Sequence, residues 1–279
     1  MDGWVELLKD QWRQARFLCV GLDTDYRKLP AELRKLPVAE ALFRFNRAIV
    51  EATADHCAAF KPNSAFYEGY GPAGIEALIK TNEFIRENYP RHLIILDAKR
   101  ADIGNTNFGY VRAAFEIFKA HAITVHPYLG REALLPFLEK RAHGVFVLCH
   151  TSNPGAAEFQ ELKIEGEPLY KIVAAKVARE WNENGNCGLV MGATYPEQLA
   201  EVRKIAADLP FLIPGIGAQG GDLERTVLCG LNRQGAGILI NASRSIIYAS
   251  SGPDYAAAAA GEAASLNESI QKIIRERNV

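Results

Sequence analysis

Residues 93–127 read LIILDAKRADIGNTNFGYVRAAFEIFKAHAITVHP, and the repeating unit of the fold is visible in them. A short apolar run at 93–99 leads into a polar turn. Residues 110–121 then place apolar side chains three and four apart, and a second apolar run follows at 123–127. The runs are too short and too uniformly apolar for amphipathic helices, so they read as strands buried on both faces. The stretch between them has the spacing of a helix with one buried stripe.

The same alternation extends outward in both directions. Strand segments are predicted at 17–23, 58–64, 93–99, 123–127, 145–150, 187–193, 211–217 and 237–242. Helical spacing occupies 38–55, 74–88, 110–121, 169–183 and 196–207. Continuous apolar strands alternating with amphipathic helices imply a parallel sheet covered by helices. Eight such units favour closure, so the expected fold is α/β, a (β/α)8 TIM barrel, with residues 1–279 forming a single domain. An open doubly wound sheet is the alternative, but no Gly-x-Gly-x-x-Gly follows the first strand. Residues 151–168, with Asn-Pro-Gly and Glu-Gly-Glu-Pro, read as a long loop of the kind that serves as a lid or binding loop. The alanine run 256–260 suits a C-terminal helix.

Composition narrows the function classes. Of the 279 residues, 48% are hydrophobic and 23% charged, enough apolar material for a large core and too much for disorder. A net charge of −1, from 32 basic and 33 acidic residues, provides no global field for nucleic acid or anionic lipid, so an anionic ligand must be held by a local site. The N-terminal MDGWVELLKD has no apolar signal region, and no run reaches membrane-spanning length. The five cysteines form no Cys-x-x-Cys pair, which argues against a disulfide framework or a zinc site and for a cytoplasmic setting.

Active sites of closed barrels lie at the C-terminal ends of the strands. Here those ends carry Asp23, Lys61, Asp97 with Lys99, a position near His126, and Arg244. Any one of these could be the start of a solvated loop; together at one end they converge. Asp97 and Lys99 are two apart and share a strand face, with Asp102 just beyond. A lysine between carboxylates is held as the ammonium, a fixed positive charge and proton donor but a poor Schiff-base former. The run Ile-Pro-Gly-Ile-Gly-Ala-Gln-Gly-Gly-Asp at 213–222 reads as a phosphate cradle near a helix start. Arg244, in Asn-Ala-Ser-Arg at 241–244, is placed to grip the phosphate after the last strand.

The run 94–107 has the Asp-x-Lys-x-x-Asp-Ile-x-x-Thr pattern of orotidine 5′-phosphate decarboxylases. In order along the chain come Gly-Leu-Asp, Phe-Lys-Pro-Asn, Thr-Ser-Asn-Pro-Gly, Gly-Ile-Gly-Ala-Gln-Gly-Gly-Asp and Ser-Arg-Ser-Ile, so the chain resembles that family over nearly its whole length, and its longer-chain branch in particular. Ala101 stands where that branch often has Gly, and Ser243 precedes the arginine where the short-chain branch usually has Gly; neither is a reacting group. The resemblance implies a cofactor-free, metal-free decarboxylation of orotidine 5′-phosphate to uridine 5′-phosphate, the last step of de novo pyrimidine nucleotide synthesis. It assigns Asp97, Lys99 and Asp102 to a charged network around the C6 carboxylate, joined by Lys61, with Lys99 stabilising and protonating the carbanion. Asp23 would hold ribose hydroxyls, Ser152 would read the pyrimidine edge, Gln219 and Arg244 would grip the phosphate, and Pro214 would line the apolar side where CO2 departs. The family is homodimeric, with Asp102 and Thr106 reaching into the neighbouring subunit's site.

Three rival readings are weaker on residues. The similar 3-keto-L-gulonate 6-phosphate decarboxylases use Mg2+ held partly by an acidic residue where this chain has Lys61. A Schiff-base aldolase needs a neutral lysine. A binder without turnover would be signalled by loss of Lys99 or its aspartates, and all are present.

Overall fold

A computed structural model describes residues 3–216 and 222–277. Its barrel strands are β1 (Leu18–Leu22), β2 (Ala59–Pro62), β3 (Leu93–Arg100), β4 (Ala122–Val125), β5 (Gly144–His150), β6 (Cys187–Met191), β7 (Phe211–Pro214) and β8 (Ile238–Ala242). Every pairing is parallel, each strand lies beside its successor, and β8 returns to β1 with Leu18 opposite Ile240. The predicted (β/α)8 barrel is therefore observed, built on the predicted strand segments. The larger helices are α1 (Trp4–Arg13), α2 (Val38–Thr53), α3 (Gly71–Asn88), α4 (Gly104–Arg112), α5 (Gly130–Leu138), α6 (Leu169–Lys176), α7 (Pro196–Ile205), α8 (Leu223–Gly230) and α9 (Tyr255–Arg277). Helices α4 and α6 each widen into a π turn, over Ala113–Ile117 and Val177–Trp181, so the predicted helical stretches there are not uniformly α-helical. The segment expected as a long loop holds more structure than that: a short turn at Pro154–Ala156, one helical turn at Ala157–Gln160, and a ribbon pairing Lys163–Ile164 with Glu167–Pro168.

A closed barrel of this size must fill its interior with side chains. Leu93, Ile95, Ala122, Phe146, Val190, Leu212 and Leu239 do so in the lower layers. The N-terminal mouth is stoppered by α1, whose Trp4 and Leu8 are buried. Trp4 meets Phe146 edge-on at 5.3 Å, and a Cβ on Gly144 would lie 2.7 Å from the Trp4 ring, so glycine makes room for the indole. Hydrogen bonds from Gln11 Nε2 to the Arg91 carbonyl (2.7 Å) and from Trp12 Nε1 to the Ile238 carbonyl (2.8 Å) tie the stopper to the starts of β3 and β8.

Arg203 of α7 performs a related service between helices and strands. Its buried guanidinium donates to the carbonyls of Ala206, Ala207, Leu209, Gly230 and Gly237 and lies over the Phe211 ring at 3.5 Å. Burial pushes it down to about 9, still charged at neutral pH. Carbonyls that precede β7 and β8 are thereby satisfied away from water.

Trp4→Ala removes the stopper's largest side chain and leaves a cavity under Phe146. We expect a loss of about 3–5 kcal/mol, read as a lower urea midpoint at unchanged slope.

Candidate active site

Strand polarity brings β1, β2, β3, β7 and β8 to one mouth, where Asp23, Lys61, Asp97, Pro214, Asn241 and Arg244 line a cleft of about 140 Å³. A larger depression of about 640 Å³, lined by Lys9, Trp12, Asp208 and Asn232, lies at the opposite end beside α1. Chemistry rather than size identifies the site, since the smaller cleft holds the converging charges.

Lys61 is 3% exposed. Its Nζ lies 3.0 Å from Asp97 Oδ2 and 3.8 Å from Asp23 Oδ1. Burial works against its charge, but the carboxylates of Asp97 and Asp23 outweigh that cost, and Lys61 is held above the ordinary lysine value. Asp97 mirrors it: burial raises its carboxyl, while Lys61 and Lys99 together hold it well below the carboxylate range.

Asp97 Oδ1 also receives Lys99 Nζ at 2.6 Å and the Thr124 hydroxyl at 2.9 Å. Thr124 in turn accepts the Lys99 backbone N–H at 3.0 Å. The expectation that alternation alone puts Asp97 and Lys99 on one face needs refinement. The register of β3 against β4 shifts between Leu96 and Arg100, and Lys99 has φ +47°, a left-handed conformation costly for a lysine. A bulge, not a regular strand, aims the ammonium at Asp97.

Asp23 is set by the buried chain behind it. Thr24 Oγ1 donates to Asn46 Oδ1 (2.6 Å), Asn46 Nδ2 to the Tyr67 hydroxyl (2.9 Å), and that hydroxyl to the Leu22 carbonyl (2.9 Å). Asp23 Oδ1 and Asn241 Oδ1 are buried with no hydrogen-bond partner among the described residues, so the floor of the cleft keeps polar atoms to spare.

Other predicted site residues stand apart. Asp102 takes the Ile103 N–H (2.6 Å) and lies outside the charged cluster of its own chain, and Thr106 is exposed on α4. Ser152 is half-buried after β5, with its carbonyl accepting from Thr194 Oγ1 at 3.3 Å, and does not line the cleft. His126 lines a separate apolar cavity with Tyr128 and Phe159. Gln219 and the rest of the glycine run at 217–221 lie outside the described residues. The start of α8 beside that run is capped by Asp222, whose carboxylate takes the Arg225 N–H at 3.1 Å. Thr124 and Asn107 were given no role from the sequence, and Asn241 was noted only as the first residue of the Asn-Ala-Ser-Arg run. Asn107 is buried and accepts the Asp102 N–H at 2.9 Å, fixing that loop.

The profile of the orotidine 5′-phosphate decarboxylase / HUMPS family matches residues 16–260. The chain belongs to this family. Curated orotidine 5′-phosphate decarboxylases are 51% identical over 262 residues in Thermomicrobium roseum, covering 93% of this chain and 91% of the relative, and 44% identical over 268 residues in Cellvibrio japonicus, covering 96% and 97%. Among solved structures, Leishmania donovani OMP decarboxylase superposes with a TM-score of 0.83 at 37% identity over 97% of this chain and 99% of that one. Leishmania donovani UMP synthase superposes with a TM-score of 0.88 at 39% identity; 98% of this chain is covered, but only 57% of the synthase. Family membership at this identity and coverage makes the protein an enzyme of the lyase class. Among the described residues no helix is long and apolar enough to cross a membrane.

The Lys61–Asp97 pair sets an acid limit on stability. Asp97 has its folded value depressed, so its contribution is complete above the unfolded value near 3.9 and is lost as pH falls below about 4. Wild-type urea midpoints should hold from about pH 7 to 5 and then drop, with a shallower acid drop in Asp97→Asn. Lys61→Ala leaves two carboxylates without their buried cation and should cost about 3–5 kcal/mol at neutral pH.

Proposed function

We propose that the protein decarboxylates orotidine 5′-phosphate to uridine 5′-phosphate as a single-domain cytoplasmic enzyme of pyrimidine synthesis, without metal or cofactor. The observation that carries this reading is the Lys99–Asp97–Lys61 array beside Arg244 at the barrel mouth. Losing CO2 from C6 of the pyrimidine leaves an electron pair in the ring plane, outside the π-system, so a pre-placed cation must stabilise it. Lys99 supplies that cation. The C6–carboxylate bond breaks, its electron pair stays on C6, and C6 then takes a proton from Lys99 Nζ. Asp97, beside the departing carboxylate, favours its release by repulsion. Lys61 keeps Asp97 charged and, with Asp23, binds ribose hydroxyls. Pro214 forms the apolar wall toward which CO2 leaves. Ser152 reads the pyrimidine edge, while Gln219 and Arg244 hold the phosphate, whose binding energy orients the ring.

A metal is not needed on this reading, because the ammonium of Lys61 stands between the carboxylates of Asp23 and Asp97 that would otherwise attract a divalent ion. A homodimer completes the site. Ile103 and Phe108 are 63% and 56% exposed next to Asp102 and Thr106, an apolar patch suited to a second copy of the chain, which would receive Asp102 and Thr106 in its own cleft.

Loss of orotidine 5′-phosphate absorbance should proceed undiminished in EDTA; absent turnover with intact UMP binding would overturn the reading. Lys99→Ala should bind UMP yet lose at least about 10²–10³ in turnover. Arg244→Ala should weaken UMP by about 1.5–3 kcal/mol and leave uridine unaffected. Mixing inactive Lys99→Ala with inactive Asp102→Ala should regenerate activity if sites are shared between subunits, and no recovery would count against the shared site.

A further inference from the structure

The segment that begins at the end of β5 is tied down by side chains to which the chemistry assigns no part. His150 is completely buried, edge-on to Tyr170 and Tyr195 at 4.9 and 4.5 Å, with Nε2 3.1 Å from Glu161 Oε1. One residue on, the Thr151 N–H donates to Gln160 Oε1 at 2.8 Å. Gln160 Nε2 donates to Thr151 Oγ1 at 2.9 Å, and that hydroxyl donates to Asn153 Oδ1 at 2.6 Å. The two ends of the 152–159 loop are therefore joined by adjacent side-chain bridges, from 150 to 161 and from 151 to 160.

The neighbouring strand end holds the same point from the other side. Gly192 N–H donates to the His150 carbonyl at 2.7 Å, and a Cβ at Gly192 would lie 2.7 Å from the Ser152 nitrogen. Thr194 Oγ1 holds the Ser152 carbonyl. The backbone of Ser152 is fixed on both sides, while its hydroxyl has no hydrogen-bond partner among the described residues.

We propose that Gln160 and Glu161 are positioning residues that clamp the 152–159 loop and so set the Ser152 hydroxyl for recognition of the pyrimidine edge. The assignment rests on the reading of Ser152 given under Proposed function. A hydroxyl that discriminates one base edge must be held within about 0.5 Å, and a loop residue acquires that precision from packing and from hydrogen bonds that fix it and the residues beside it. Both clamping residues bond the two residues just before Ser152, His150 and Thr151, and so act on its hydroxyl through the backbone.

The test compares UMP with ribose 5-phosphate, which shares the phosphate and sugar but lacks the base. Gln160→Ala should weaken UMP about fivefold to tenfold, leave ribose 5-phosphate unchanged, and raise KM with little change in kcat. Gln160→Glu, which retains an acceptor for the Thr151 N–H, should restore UMP affinity. Equal loss for both ligands, no loss for either, or failure of Gln160→Glu to rescue would overturn the assignment. Amide exchange at residues 151–159 gives an answer without ligand: faster exchange in Gln160→Ala supports the clamp, and unchanged exchange overturns it. Wild-type protein that binds ribose 5-phosphate but not UMP would instead overturn the base-reading role of Ser152, with the exchange measurement still deciding the clamp.

Discussion

A lysine can be buried in a barrel mouth only if its charge is answered there, and the Lys61–Asp97 pair imposes that condition on everything around it. The pair needs a carboxylate in one orientation. Lys61 takes Oδ2, while Thr124 from β4 and Lys99, brought in by the bulge in β3, both bond Oδ1. The backbone on either side of the second carboxylate, Asp23, is held through Thr24, Asn46 and Tyr67. Below this layer the interior is apolar, so the site is a charged lid on a greasy column. Two lysines against two aspartates leave that layer close to neutral, and Arg244 at the rim adds positive charge for an anion.

The barrel was legible because its strands are uniformly apolar and its helices carry a stripe, two periods that do not mimic each other. Less legible were elements whose cause lies elsewhere in the chain. Nothing local marks α1 as a stopper; Trp4 acquires its role from Phe146 and from a glycine at position 144. The π turns after α4 and α6 have no residue signature. The ribbon inside 163–168 follows from two short polar stretches that also suit a loop.

The site was legible where its residues are charged, since charge at the end of an apolar strand is costly and stands out. Asp23, Lys61, Asp97, Pro214 and Arg244 do meet at one cleft, and Lys99 reaches it through Asp97. Thr124 did not stand out, being an uncharged polar residue in an apolar run, where a hydroxyl is easily read as filler. The left-handed backbone of Lys99 was also hidden, because only glycine would have announced it. Asp102 and Thr106 are motif residues that do not line the cleft among the described residues.

The stopper carries a consequence for how the barrel comes into being. Helix α1 precedes every strand, yet its seat is made by Gly144 and Phe146 on β5 and by the start of β8. A ribosome releases that helix long before its binding surface exists, so its apolar face waits unprotected while most of the sheet is still being made. Its docking is a contact between distant parts of the chain, of the kind that slows folding. Until β5 and β8 are made, Trp4 and Leu8 have no apolar seat, and the exposed surface they present is of the kind that makes partly folded chains prone to aggregate.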